Sequence, residues 1–203
     1  DAGLKLGGTK KYRKRFNSLD EAKVHAEQIK VKLKNQGVGG FKLTREQLAM
    51  VSVKNHKHAT LNPIAHFHNE ITVDQVLNSS IIADPLTLLD CSPITDGGAS
   101  LILAKEEIAK KFESPIWALG SGQANDTLSL HARKSLTEIP ATTHAAQRAL
   151  MQAKIGIDKI DVTEVHDCFS IAEVMAIEDL GLVPRGDAGK IMEEGLTYFD
   201  GKI

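Results

Sequence analysis

The stretch from Ile160 to Gly181, I-D-V-T-E-V-H-D-C-F-S-I-A-E-V-M-A-I-E-D-L-G, limits what this chain can fold into more than any other. Ile160, Val162 and Val165 are β-branched and mark a short buried strand. Ser170 followed by Glu173 has the form of a capping box, opening a helix whose apolar positions include Ile171, Val174 and Met175. His166, Asp167, Cys168 and Phe169 then lie between a strand's carboxyl end and a helix's amino end. In an open α/β sheet ligands bind at such a place, because unpaired backbone N–H groups and the helix dipole point into the crevice. A histidine, an acid and a thiol there are candidates for chemistry, although any strand-to-helix turn needs polar residues for capping.

Composition narrows the partners. With 203 residues, 42% of them hydrophobic, the chain can bury a core as one large domain or two smaller ones. A formal net charge of -1 and a pI near 6.8 give no reason to expect nucleic acid or an acidic membrane as the main partner. No apolar run approaches the roughly 20 residues needed to cross a bilayer, and the opening D-A-G-L-K-L-G-G has no signal-peptide core, so a cytoplasmic protein is expected. Cys91 and Cys168 have no metal or redox spacing and read as free thiols.

Residues 1–40 hold ten Lys/Arg against four Asp/Glu, a balance of +6 that leaves -7 for the remainder. The cluster Lys10, Lys11, Arg13, Lys14, Arg15 reads as a solvated face; an anionic ligand such as a CoA phosphate is the functional alternative. Ser18 and Glu21 predict a capped helix from Ala22 to Leu33. Thr44 with Gln47 predicts another through T-R-E-Q-L-A-M-V-S-V-K-N-H, and Thr72 to Leu77 a third. Leu86–Leu89, Ala99–Ala104 and Pro115–Leu119 read as strands, Lys105–Phe112 as a helix, and Thr142 to about Gly156 as a longer helix. His56, His58, His66 and His68 recur at short spacing, yet without a cysteine or a fixed acid partner they do not predict a zinc site. Cys91 has no helix amino end and no neighbouring base to make it a nucleophile.

H-D-C-F-S-I-A-E, with E-D-L-G-L close behind, resembles the signature of the sterol-carrier-protein type of thiolase and its archaeal acetoacetyl-CoA thiolase relatives, in which H-D-[AC]-F replaces N-E-A-F. T-R-E-Q-L-A, V-K-N-H, N-P and V-L-N-S-S look like the region of these thiolases that leads to the end of the first domain, much of it in a loop domain over the active site. D-C-S-P-I-T-D-G-G-A-S resembles the D-C-S-P-x-S-D-G-A-A block that closes that domain, and G-L-V-P-R-G-D-A-G-K-I-M-E-E-G a Gly-rich connection in the second.

The resemblance implies an α/β class and a partial thiolase fold, layered α-β-α-β-α with mixed sheets and incomplete in this chain. It divides the chain into a basic arm and helix, residues 1–43, the loop region and end of the N-terminal thiolase domain, 44–113, and the first part of the C-terminal domain, 114–203. It implies a CoA-dependent C-acyltransferase that forms or cleaves 3-ketoacyl-CoA by Claisen chemistry. His166 takes the place of the Asn of N-E-A-F as an oxyanion-hole donor, and Thr143, His144 and Ala146 line the pantetheine tunnel of CoA. The CoA thioester is substrate, with no cofactor or metal. A homo-oligomer, a complementing thiolase chain or a downstream synthase are the implied partners. The resemblance spans about Thr44 to Gly195 and omits the family's nucleophilic cysteine, so the chain alone is expected to be inactive. A thiolase-like retro-aldol lyase and a non-catalytic CoA-binding scaffold are the alternatives.

Overall fold

A computed structural model describes Ser18, Asp20, Lys23 and residues 43–129 and 132–201. The basic cluster and the helix expected from Ala22 to Leu33 lie outside the described residues, except for Lys23.

Helix α1, Arg45–Ala59, organises the packing. Thr44 Oγ1 accepts from Gln47 N–H and Gln47 Oε1 from Thr44 N–H, so the predicted capping box forms as a reciprocal pair. Helix α2, Val73–Leu77, opens with the same device at Thr72 and Gln75. A cap of this kind is worth about 1 kcal/mol. Between α2 and the block that follows lies a two-stranded antiparallel sheet, β1 (Ile81–Ala83) with β2 (Leu86–Thr87), Ile81 opposite Thr87. A short α3, Glu106–Ala109, follows, then α4 (Pro140–Ala153), α5 (Ser170–Leu180) and α6 (Ala188–Glu193).

The core lies where α1 meets α5 and α6. Leu48 and Val51 of α1 pack with Val174 and Ile177 of α5 and with Ala188, Ile191 and Met192 of α6, Val183 closing the corner between the last two. Burying each of the large side chains contributes about 1.5–3 kcal/mol. Gly189 permits this approach: a Cβ there would stand 2.7 Å from Leu43 Cδ2 and 2.8 Å from Gln47 Oε1. α4 lies against α5, and Thr143 Oγ1 donates to the Asp179 carbonyl at 3.0 Å.

Several sequence expectations are corrected. The runs 99–104, 115–119 and 160–165 hold no strand and form no ladder. Most of their apolar side chains are open, Ile102 being 95% exposed and Ile116 98%, while Ile160 and Val165 are half-buried. β-branched and apolar residues make a strand only when a second backbone lies alongside, and among the described residues none does. Leu86–Leu89 is a strand for two residues before turning into a 3-10 segment, Leu88–Asp90, because Asp90 Oδ2 accepts from Thr87 N–H. The helix expected over Lys105–Phe112 shortens to α3. α4 begins earlier than its apolar pattern, at Pro140, whose fixed φ suits a first helical position, and ends at Lys154 in the left-handed region (φ 58°) instead of at Gly156.

The Ser170–Glu173 capping box also does not form. Ser170 is the first residue of α5 and its hydroxyl donates to Asp90 Oδ1, while Glu173 pairs with the Lys54 ammonium. A charge-assisted bond in a buried setting outcompetes a backbone N–H for that carboxylate. The other end of α5 closes on Gly181 at φ 79°.

Candidate functional site

The turn 166–169 is joined to the D-C-S-P block directly. Cys91 and Phe169 form an antiparallel bridge, and Ser92 N–H donates to the Cys168 carbonyl at 3.0 Å. Asp90, buried, gathers the surrounding donors. Its Oδ1 accepts from Ser170 Oγ (2.7 Å) and Ser52 Oγ (3.5 Å), its Oδ2 from Thr87 N (2.9 Å) and Thr87 Oγ1 (3.0 Å). A buried carboxylate costs several kcal/mol unless paired and hydrogen-bonded, and four donors meet that requirement here.

On the other side of the turn, two consecutive residues of α1 hold it. Lys54 and Glu173 form a buried ion pair, and the Asn55 amide donates to Asp167 Oδ2 at 2.6 Å and to Glu173 Oε2 at 3.2 Å. Beside these groups opens a cavity of about 470 Å³. Its walls are mainly apolar, with Ala59, Ala65, Phe67, Leu88, Leu89 and Pro93, and its polar groups include Ser52, Asn55, Asp90, Asp167 and Ser170. Such a volume, apolar with a few convergent polar groups, is in the range of small-molecule sites.

Asp167 lines this cavity; His166 stands exposed beside it, outside the lining, and Cys168 is half-buried. Asp167 gives its carboxylate to Asn55 across the cavity wall. The three residues expected along pantetheine lie on α4 and outside the cavity: Thr143 is half-buried with its hydroxyl given to Asp179, His144 is exposed, and Ala146 is half-buried. Cys91 lines the cavity, its thiol donating to the Thr87 carbonyl at 3.3 Å. Burial and, second, the Asp90 charge push that thiol up from its ordinary value, which disfavours the thiolate a nucleophile needs.

The histidines of the 56–68 segment serve separate contacts. His56 Nδ1 donates to the Asn69 carbonyl (3.1 Å) with its ring stacked on Phe67, His66 shares a hydrogen bond with Thr95 (2.9 Å), and His58 Nε2 accepts from Phe199 N–H (3.1 Å). Among the described residues no three His, Cys, Asp or Glu side chains gather as a metal site. No helix among them is long and apolar enough to cross a membrane.

Asn55, Asp90, Lys54 and Ser52 carry most of the site's polar bonding, and motif reading did not give them that part. A signal was present in α1. Leu48, Val51, Ser52 and Asn55 follow the i, i+3, i+4, i+7 rule of a buried face, so a hydroxyl and an amide sit where apolar residues belong.

Comparison with known proteins places the chain by family. Residues 122–203 match the family described as thiolase C-terminal domain-like. Acetyl-CoA acetyltransferase of Methanothermobacter thermautotrophicus is 50% identical over 161 residues, 79% of this chain and 42% of the relative. This is a thiolase-like chain. Sterol carrier protein 2 of Oryctolagus cuniculus is 36% identical over 163 residues, covering 77% of this chain and 30% of that protein. Among solved structures the chain resembles the Ltp2-ChsH2(DUF35) aldolase, with a TM-score of 0.75 at 26% identity over 92% of this chain and 53% of that one. The thiolase-like chain therefore spans less than half the length of the archaeal acetyltransferase it matches. Its α/β class agrees with that neighbour, the described residues supplying the helices and one two-stranded sheet.

Proposed function

We propose that this chain contributes to a coenzyme A thioester site, and that the assembled enzyme is a CoA-dependent C-acyltransferase of the acetyl-CoA acetyltransferase kind. The observation that carries the reading is the junction of the 166–169 turn with the 90–92 segment at a mainly apolar cavity of about 470 Å³. Claisen condensation needs a proton removed from the carbon beside a thioester, and negative charge then develops on the thioester oxygen. His166, exposed at that junction, has an N–H to give to this oxygen when its imidazole is neutral. The enolate carbon attacks an acyl group held as a thioester on a cysteine; the new carbon–carbon bond forms as the C–S bond breaks and the thiolate leaves. Cys91 is ill suited to that thiolate, so the nucleophile comes from another segment or a complementing thiolase chain. The apolar walls suit an acyl group or the pantetheine arm, and His144, exposed on α4, is the polar candidate along that arm. A cytoplasmic homo-oligomer fits this assignment.

The likeness to an aldolase favours a second reading, retro-aldol cleavage of a CoA thioester. Product analysis separates the two. Condensation of acetyl-CoA releases free CoA, whereas retro-aldol cleavage of a 3-hydroxyacyl-CoA releases an aldehyde or ketone and leaves the thioester intact. In the assembled enzyme His166→Ala should lower acetyl transfer about a hundredfold or more without lowering the unfolding midpoint. Undiminished turnover removes His166 from the reaction.

A further inference from the structure

Asn55 stands between two carboxylates that belong to different parts of the site. Asp167 is in the turn beside His166 and lines the cavity, whereas Glu173 is one turn into α5 and is already neutralised by Lys54. The Asn55 amide carries two hydrogens on one nitrogen and gives hydrogen bonds to both acids, 2.6 Å to Asp167 and 3.2 Å to Glu173. An uncharged double donor is what this position requires. A carboxylate there would put three acids around one ammonium, and an apolar side chain would leave Asp167 without the one donor it has among the described residues. Asp90 does for Ser170 and Ser52 what Asn55 does for Asp167, but from a fully buried position behind the turn.

We infer that Asn55 is a positioning residue: the juxtaposition of its amide with Asp167 and Glu173 ties the 166–169 turn to α1 and fixes the cavity wall against which an acyl-CoA is bound. This deepens the proposed CoA site and rests on it. Asn55 need not touch the substrate. It acts through Asp167, and through the turn that also presents His166.

The test uses the whole chain with acetyl-CoA as the probe, calorimetry for affinity and thermal unfolding for stability. Asn55→Ala and Asn55→Asp should each weaken acetyl-CoA binding about tenfold or more, the scale of losing a hydrogen bond to a charged group. If Asn55 acts through Asp167, the double variant Asn55→Ala with Asp167→Ala should bind acetyl-CoA no more weakly than the weaker of the two single variants. Unchanged affinity in Asn55→Ala with only a lower unfolding midpoint overturns the inference, as do additive losses in the double variant, which would mean that Asn55 does not act through Asp167. Failure of the unaltered chain to bind acetyl-CoA overturns the CoA reading instead. The tie itself is then judged by the Asn55 side-chain amide resonances. They should shift and lose protection from solvent exchange in Asp167→Ala, and resonances that do not move there overturn it.

Discussion

Ser170 Oγ donates a 2.7 Å hydrogen bond to Asp90 Oδ1, and through it the first turn of α5 is fastened to a segment 80 residues earlier in the chain. Asp90 has no cation beside it among its hydrogen-bond partners; hydroxyls and a backbone N–H hold it. Asp90→Ala should therefore leave Thr87 N–H and two buried hydroxyls without their acceptor and destabilise the fold by about 2–4 kcal/mol, read from urea unfolding. Asp90→Asn, which keeps one carbonyl oxygen, should cost less. Equal loss in both variants would mean that the charge, not the acceptor geometry, is what the segment requires.

Lys54 and Glu173 lock α1 to α5 from the other side of the same turn. Breaking one partner of a buried pair is costlier than removing both, because the remaining charge is stranded. Lys54→Met alone should destabilise by about 3–5 kcal/mol, whereas Lys54→Met with Glu173→Leu should recover most of that loss. Chemical denaturation of the single and double variants gives the coupling directly. Additive losses would show that the pair contributes nothing beyond its two side chains.

His58 links the end of α1 to the turn after α6, its Nε2 accepting from Phe199 N–H and its ring set edge-on to Tyr198 and Phe199. Partial burial first, then the Lys54 and Lys57 charges, hold its pKa below the ordinary value, with Asp200 opposing. A histidine whose folded pKa is depressed contributes stability that is present above its unfolded pKa and is lost as pH falls through the folded one. A protonated Nε2 also ceases to accept. The Phe199 amide should accordingly exchange faster with solvent, relative to neighbouring amides, as the solution is acidified below about pH 6.5, the unperturbed value. His58→Leu should show fast Phe199 exchange at neutral pH and no added acceleration on acidification.

How far the sequence discloses this protein depends on the range over which each signal acts. The caps at Thr44 and Thr72 are complete within three residues, and both form as read. Ser170 and Glu173 have the same spacing, yet partners 80 and 119 residues away take both side chains, and no local rule carries that information. The three apolar runs fail as strands for the same reason: pairing is a property of two backbones, and a single run states only half of it. The 166–169 turn stands out in the sequence as a candidate from its position ahead of α5 and from family resemblance. Asn55 and Asp90 do not, because what marks them is contact across the fold.

The E-D-L-G motif makes a final case, in which a family signature has a structural task. Glu178 Oε1 accepts from Gly186 and Ala188 N–H at 3.0 and 3.4 Å, and Asp179 pairs with Arg185 and accepts from Ile139 N–H at 2.9 Å. These two adjacent carboxylates thus clamp the end of α5 to the loop that enters α6 and to the residue that starts α4. Burial raises the Asp179 pKa above its ordinary value, more than the Arg185 and Ile139 hydrogen bonds and the Arg185 charge lower it, and Glu138 adds to the rise. A carboxyl whose folded pKa is raised binds more protons folded than unfolded. Its contribution to stability is fully present below the unfolded pKa and is lost as pH climbs through the folded value. Asp179→Asn keeps an acceptor for Ile139 N–H and removes the titration. The stability of the unaltered chain should include a fall beginning near pH 4, the unperturbed value for aspartate, that is missing from the variant's profile. Urea unfolding of both proteins across pH 4 to 7 measures it, and a difference between the two that does not change with pH would mean that the Asp179 carboxyl binds its proton equally well in the folded and unfolded chain.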